Sequence, residues 1–296
     1  MSKIVGYLRL IRPANIVTSI ADVIAGMAIS GFFVAGATVN AFVWPIILLC
    51  TSTAALYGGG IAFNDIFDAE LDARERPERP IPKGLIKLHD AITFASLLLI
   101  LGIAAAFLVH VISGLLALLI AAAALVYNKW GKHHKVIGPV NMGLCRGLNL
   151  LLGVSIIPGA LQDWWYVAIV PVIYISAITL ISRGEVYGSK RSPIYLAFGL
   201  YLIVLVCILY FSFVRGMVLQ ALLFLIPFAW MIFSPLSTAL KQPTGPNIGK
   251  AVKAGVISLI IMDAAWAAAS GEIVAAIALV LLFPISLWMA RLFAVT

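Results

Sequence analysis

The densest chemistry in the 296-residue sequence is Asn64-Asp65-Ile66-Phe67-Asp68-Ala69-Glu70-Leu71-Asp72, closely followed by Arg74, Arg76, Pro77, Arg79, Pro80, Pro82, Lys83 and Gly84. Six of the twelve acids fall between residues 65 and 78. If the preceding helix continues at about 100° per residue, Asn64, Asp65, Asp68 and Asp72 share one face. Carboxylates at that spacing repel one another unless a cation holds them. Hard oxygen donors in this number suit Mg²⁺, which takes one or two carboxylates and leaves positions for water or phosphate. Asn64, Asp65, Asp68 and Asp72 are therefore the expected metal donors, with Asp65 and Asp68 catalytic. Arg79 and Lys83 add donors for a phosphate. The plain alternative is a solvated loop with internal ion pairs. Helical spacing, the leading Asn and three stiffening prolines favour a shaped site.

The chain that must position these residues is 63% hydrophobic and 11% charged, with mean hydropathy +1.09. Such values belong to multispanning membrane proteins. Ten apolar stretches approach bilayer-crossing length: about 14–35, 41–64, 90–110, 112–128, 138–159, 164–182, 193–214, 217–238, 249–270 and 272–292. No cleavable signal is read in Met1 to Ile11, and residues 1–296 are expected to form one membrane domain. With a cytoplasmic N-terminus, alternation puts eighteen of the twenty Lys and Arg inside, leaving Arg215 outside and Arg146 within a span. The net charge of +8 then follows from topology and implies no nucleic-acid partner. An inner (plasma) membrane protein of a bacterium is expected, with the Asp-rich stretch cytoplasmic. Cys50, Cys145 and Cys207 lie in apolar stretches at unrelated spacings and read as small hydrophobes.

Several polar residues inside spans need partners. Asp22 should face the bundle interior or a water-filled cavity. Arg146 carries an insertion penalty of about 2.5–3.5 kcal/mol and requires anions, which a diphosphate would supply. Asn149 is three residues on and shares its face. Arg146 is thus expected at the catalytic site, with Asn15, Asn149 and Lys129 joining the substrate-binding set. Lys132 lies on the same side. Small residues Gly58, Gly59, Gly60 and Ala62 allow close helix packing next to the Asp cluster. Ser182, Glu185 and Ser189 repeat the spacing of Asp65, Asp68 and Asp72, which reads as a second pole of one pocket. Asp263 is expected to make a satisfied packing hydrogen bond.

Asn64-Asp65-x-x-Asp68-x-x-x-Asp72 followed by Arg76-Pro77-x-Arg79-Pro80-Ile81-Pro82-x-Gly84 resembles the first signature of the UbiA superfamily of intramembrane prenyltransferases. The span order, the Arg12-Pro13 start and the Arg146 region are similar too. The resemblance implies an all-α bundle of nine to ten transmembrane helices around a central cavity. It also implies transfer of an isoprenoid group from a prenyl diphosphate to a small lipophilic, aromatic or quinone-like acceptor. Mg²⁺ would lie between two Asp-rich motifs, with Glu185 the one carboxylate left in the second and Arg183 beside it. Residues Ser182 to Val186 and the Arg291 to Thr296 ending resemble the UbiA-like EboC subgroup. The thinned second motif leaves an alternative: a catalytically weakened member that binds or carries a prenylated or lipid-linked precursor in a biosynthetic or export pathway.

Overall fold

A computed structural model describes residues 3–34, 39–134, 136–186 and 188–292, so Lys135 and the 293–296 ending fall outside the described residues. Within them the regular elements are helices: α1 (Lys3–Ile11), α2 (Pro13–Ser30), α3 (Val39–Phe67), α4 (Ala69–Glu75), α5 (Leu88–Val109), α6 (Val111–Lys129), α7 (Ile137–Val154), α8 (Ala160–Trp164), α9 (Ile169–Ser182), α10 (Arg191–Val214), α11 (Val218–Lys241), α12 (Gly245–Ala269) and α13 (Ile273–Leu292). Nine spans among the described residues are long and apolar enough to cross a membrane. The protein is an integral membrane helical bundle. The tenth expected stretch forms α13, whose apolar run Ile273–Met289 is shorter than the other nine.

Only helices and closed β-barrels satisfy every backbone group within hydrocarbon, and continuous apolar runs of this length select the helix. The missing loop between α5 and α6 is explained by His110. Its backbone is extended (φ −162°, ψ 153°), and its ring accepts from the Ile112 N–H at 3.1 Å, which starts the next helix. The two most buried spans are α2 and α12, each with 72% of an 18-residue apolar stretch inside the bundle. Helix α2 packs on α3, α7, α12 and α13, so it is the post around which the others stand. Exposed leucines and isoleucines on α5, α6, α10 and α11 form the lipid-facing perimeter.

The contact between α2 and α7 is set by two glycines. A Cβ on Gly26 would lie 2.2 Å from the Leu150 carbonyl oxygen, and one on Gly153 would lie 2.1 Å from that of Val23. No side chain fits there without separating the backbones. Between helices in lipid, such small residues allow the close dispersion packing that drives association. Gly26→Ala or Gly153→Ala should therefore destabilise the bundle by about 1–3 kcal/mol through overpacking. Gly199, which has open space around its Cβ position, is the matched control. Gly199→Ala should be neutral or stabilising by up to about 1 kcal/mol, as helix propensity dictates. Thermal unfolding of the purified variants in one detergent measures both.

Candidate active site

The acidic stretch closes one end of the bundle. Helix α3 stops at Phe67 and α4 begins at Ala69, with Asp68 at the joint (φ −92°, ψ 3°). The expected unbroken helical face is therefore kinked, although Asp68 N–H still bonds to Asn64 O at 3.1 Å and Asp72 N–H to Asp68 O at 2.8 Å. The kink sorts the donors. Asp65 and Asp72, each only 4% exposed, are bridged by one guanidinium: Arg79 Nη1 lies 3.1 Å from Asp65 Oδ1 and 2.6 Å from Asp72 Oδ2. Asp68 turns instead to Lys132, in the short turn after α6. Asn64 turns to the interior and donates to Asn128 Oδ1 at 3.0 Å.

Arg79 is held there by the proline-rich turn. Pro80 is buried, and its carbonyl accepts from Leu85 N–H (3.0 Å) and Ile86 N–H (3.3 Å), with Gly84 at φ +73° completing the reversal. Ile81, Leu85 and Ile86 then plug into an apolar cluster with Leu10, Ala62 and Ala91. A second arginine, Arg12, comes from the α1–α2 junction and donates to Asp65 Oδ1 at 2.8 Å. Its φ of +48° is the one positive value among described non-glycine residues. Pro13 disfavours the right-handed region for the residue before it, and Arg12 adopts the left-handed one, which carries a strain cost. That conformation aims the guanidinium at the cluster.

Behind this mouth lies a cavity of about 230 Å³ between α2, α3, α6, α7, α9 and α12. Leu56, Ile61, Ile120, Ile175, Ile178 and Leu259 make its walls largely apolar. Asn15, Asn64, Arg146 and Asn149 line it, as the sequence led us to expect, together with Arg12, Thr18, Thr53, Tyr57, Tyr127 and Asn128. Arg146 stands nine residues into α7, roughly 13 Å along the helix axis at 1.5 Å per residue. Its Nη1 is 2.9 Å from Asp22 Oδ2, its Nη2 donates to Thr18 Oγ1 at 2.8 Å, and its guanidinium lies 5.5 Å from the Tyr57 ring centroid. Asn149 donates to Asp22 Oδ2 at 2.9 Å and accepts from Thr53 Oγ1 at 2.6 Å. The buried arginine thus has an internal counter-ion in α2. Asp263, buried against the same group, pairs with Asp22 but keeps Oδ2 without a donor, so its expected packing hydrogen bond is only half satisfied.

The remaining expected residues are spread around the mouth. Lys83 and Lys129 are exposed, and the Lys129 ammonium lies 4.7 Å from the Trp130 ring centroid. Ser182, Arg183, Glu185 and Ser189 do not repeat the first motif's geometry, because α9 ends at Ser182. Gly188 (φ +80°) then folds the chain onto α12, where Ser189 N–H donates to Pro243 O at 3.2 Å. Glu185 leans toward Gly249 in the first turns of α12, and burial pushes its carboxyl above the ordinary glutamate range. A carboxylate beside a helix N-terminus is favourably placed for purely structural reasons. Among the described residues, no three His, Cys, Asp or Glu converge into a ready-made metal cage. Sequence reasoning used Arg12 as a topological charge and as part of the Arg12-Pro13 start, not as a site residue, and passed over Thr18, Thr53, Tyr57 and Asn128. The Arg-Pro pair was the available signal for the first. Isolated hydroxyls and amides in apolar runs gave none for the others.

The profile of the UbiA prenyltransferase family matches residues 24–247. A digeranylgeranylglyceryl phosphate synthase of Methanothrix thermoacetophila is 32% identical over 193 residues, which is 65% of this chain and 67% of that one. The chain spans from 34% to 67% of the length of the first curated relatives it matches. Among solved structures, one of digeranylgeranylglyceryl phosphate synthase superposes with a TM-score of 0.68 at 23% identity, covering 91% of this chain and 99% of that one. A UbiA homologue from Archaeoglobus fulgidus bound to DMAPP and Mg²⁺ gives 0.61 at 17% identity, covering 86% and 99%. Those likenesses show the shared fold. The profile match runs from the middle of α2 to the start of α12 and so takes in the Asp-rich stretch and most of the cavity lining: the chain belongs to the UbiA prenyltransferase family.

Proposed function

We propose that this protein transfers an isoprenoid group from a prenyl diphosphate to a small lipophilic acceptor, with Mg²⁺ at the mouth. The observation that carries the reading is an acid–arginine cluster, nearly closed to solvent, placed over an apolar cavity. The donor set fits the ion. Asp65, Asp68, Asp72 and Asn64 offer only hard oxygens, and Mg²⁺ needs no closed cage because substrate phosphate and water complete its shell. Each of the three carboxylates is now answered by a side-chain cation, which a diphosphate would draw toward itself. Mg²⁺ bound there would supply charge neutralisation of the departing diphosphate.

The chain's own groups do the rest. Arg12, Arg79 and Lys132 move from carboxylate to phosphate oxygens, Lys83 and Lys129 add charge at the rim, and Asn15 and Asn64 orient the donor by hydrogen bonds. The allylic C–O bond breaks with its electron pair leaving on diphosphate. The acceptor's nucleophilic atom forms the new bond to that carbon, and its proton passes to the diphosphate oxygens. Leu56, Ile120, Ile178 and Leu259 exclude water that would quench the allylic cation. Relatives named for a digeranylgeranylglyceryl phosphate product, and a homologue bound to DMAPP and Mg²⁺, support this donor chemistry. We place the mouth on the cytoplasmic side of a plasma membrane, on the strength of the Lys and Arg distribution.

The turn at Ser182 to Ser189 favours one secondary reading, a weakened enzyme that binds or carries a prenylated precursor. Arg183 and Glu185, in the stretch that resembles the EboC subgroup, would then be all that remains of a second metal pole.

Asp65→Asn or Asp68→Ala should lower Mg²⁺-dependent diphosphate release from geranylgeranyl diphosphate by at least about a hundredfold. Unchanged release in both would remove the enzyme reading. Arg79→Ala should lower turnover comparably, and it should also destabilise the fold because Asp65 and Asp72 are left buried together. Glu185 separates one metal from two. Its folded pKa is raised, so its ionised form weakens the fold above that pKa and the cost disappears as pH falls through it. Without a metal role, Glu185→Gln should raise the unfolding temperature at neutral pH, match the parent in acid and keep the parent's Mg²⁺ dependence. A higher Mg²⁺ requirement in that variant would instead make Glu185 a ligand.

A further inference from the structure

We infer that the floor of the cavity selects an acceptor whose head is neutral and hydroxyl-bearing, and rejects one that presents an anion there. The inference rests on the prenyl-transfer reading and names the second substrate's class. The floor's only cation among the described lining residues is Arg146, since Arg12 belongs to the mouth. Two carboxyls answer it. Asp22 lies 2.9 Å from its Nη1, and Asp263 of α12 lies against Asp22. Both acids are only 1% exposed.

The hydrogen bonds show what is missing. Asp22 Oδ1 and Asp263 Oδ2 are both buried without a donor. Two neighbouring carboxyl oxygens, both acceptors, are satisfied together by one proton held between them. A single proton shared by the pair supplies the absent donor and brings the trio with Arg146 to zero net charge. The other polar groups facing the trio are neutral: Tyr57 from α3, Tyr174 from α9, Thr18 from α2 and Asn149 from α7. If the proton were absent the floor would be negative. In neither state is there a positive charge to spare.

A phosphate or carboxylate head at Arg146 must therefore displace Asp22, stranding a buried carboxylate, or add a second anion. Either is costly. A hydroxyl instead accepts from a guanidinium N–H and donates to a threonine or asparagine oxygen without changing the charge. Anions are thereby confined to the mouth.

The test uses the full chain in lipid nanodiscs, with Mg²⁺ and pyrophosphate saturating the mouth, and a matched pair of probes, dodecylglycerol and dodecylglycerol phosphate, with binding read from the further rise in unfolding temperature. Wild type should bind the neutral probe at least roughly tenfold more tightly. Asp22→Asn, which uncovers Arg146, should reduce that preference by roughly tenfold or more, the scale of a buried pair losing one partner. Infrared difference spectra at neutral pH should show a protonated carboxyl in wild type that Asp263→Asn removes. Equal or tighter binding of the phosphate probe, binding of neither probe, an unchanged preference in a folded Asp22→Asn, or a missing carboxyl band would each overturn the inference. Should Asp22→Asn fail to fold, the wild-type preference and the infrared band decide it. Absence of diphosphate release from geranylgeranyl diphosphate with Mg²⁺ would sink the prenyl-transfer reading while leaving the probe preference standing, so the two failures are distinct.

Discussion

The backbone contact between α2 and α7 is the constraint on which the rest depends. Gly26 and Gly153 let the two helices meet at carbonyl distance, and the neighbouring turns are thereby brought into register. Along α2, Thr18, Ser19 and Asp22 precede Gly26 on the way in from the mouth; along α7, Arg146 and Asn149 precede Gly153. The close approach presses these five residues into one network. A wider crossing would leave Arg146 inside hydrocarbon with no counter-ion, a state far more costly than the packing itself. The glycines and the buried charges are thus parts of one arrangement: the first makes the second affordable.

Charge in this protein is sorted by depth. At the mouth, Arg12, Arg79 and Lys132 hold Asp65, Asp72 and Asp68 through pairs that a phosphate can exchange. Arg12 and Arg79 are still 23% and 13% exposed at their side chains, so solvent and substrate can compete for them. Deeper in, Arg146 and Asp22 are 6% and 1% exposed, and a pair so enclosed is costly to separate. One set of ion pairs is built to open, the other to stay shut.

What could be read from the sequence follows the reach of each physical cause. Apolar length and the excess of Lys and Arg on one side act locally, so the spans and the Asp-rich end were legible. The break near residue 110 was legible to within a residue, although a single extended His110 replaces the loop. Asp65, Asp68 and Asp72 were recognisable from spacing, but their separation into two groups depends on a kink at Asp68 and on partners far away in the chain. Arg146 was legible as a residue in need of an anion. The anion turned out to be Asp22 on another helix, a choice fixed by packing at Gly26 and Gly153. Glu185 failed as a helical repeat because Gly184 and Gly188 allow a turn that spacing alone does not register.

On the prenyl-transfer reading, the same depth ordering lets one cavity handle a reactive cation. An allylic cation is stabilised by its departing diphosphate, so its charge stays near the mouth, where the exchangeable pairs are. A net positive floor would repel it, and a net negative one would draw it inward, away from the leaving group. A floor of zero charge does neither. Neutrality around Arg146 therefore serves the donor as well as the acceptor, because it leaves the mouth as the one pole of the cavity's field. Burying an arginine only to cancel it looks wasteful for binding energy. It makes sense as a rigid, polar and uncharged surface that holds hydroxyls in place, because the trio's hydrogen-bond directions are fixed by three different helices, α2, α7 and α12.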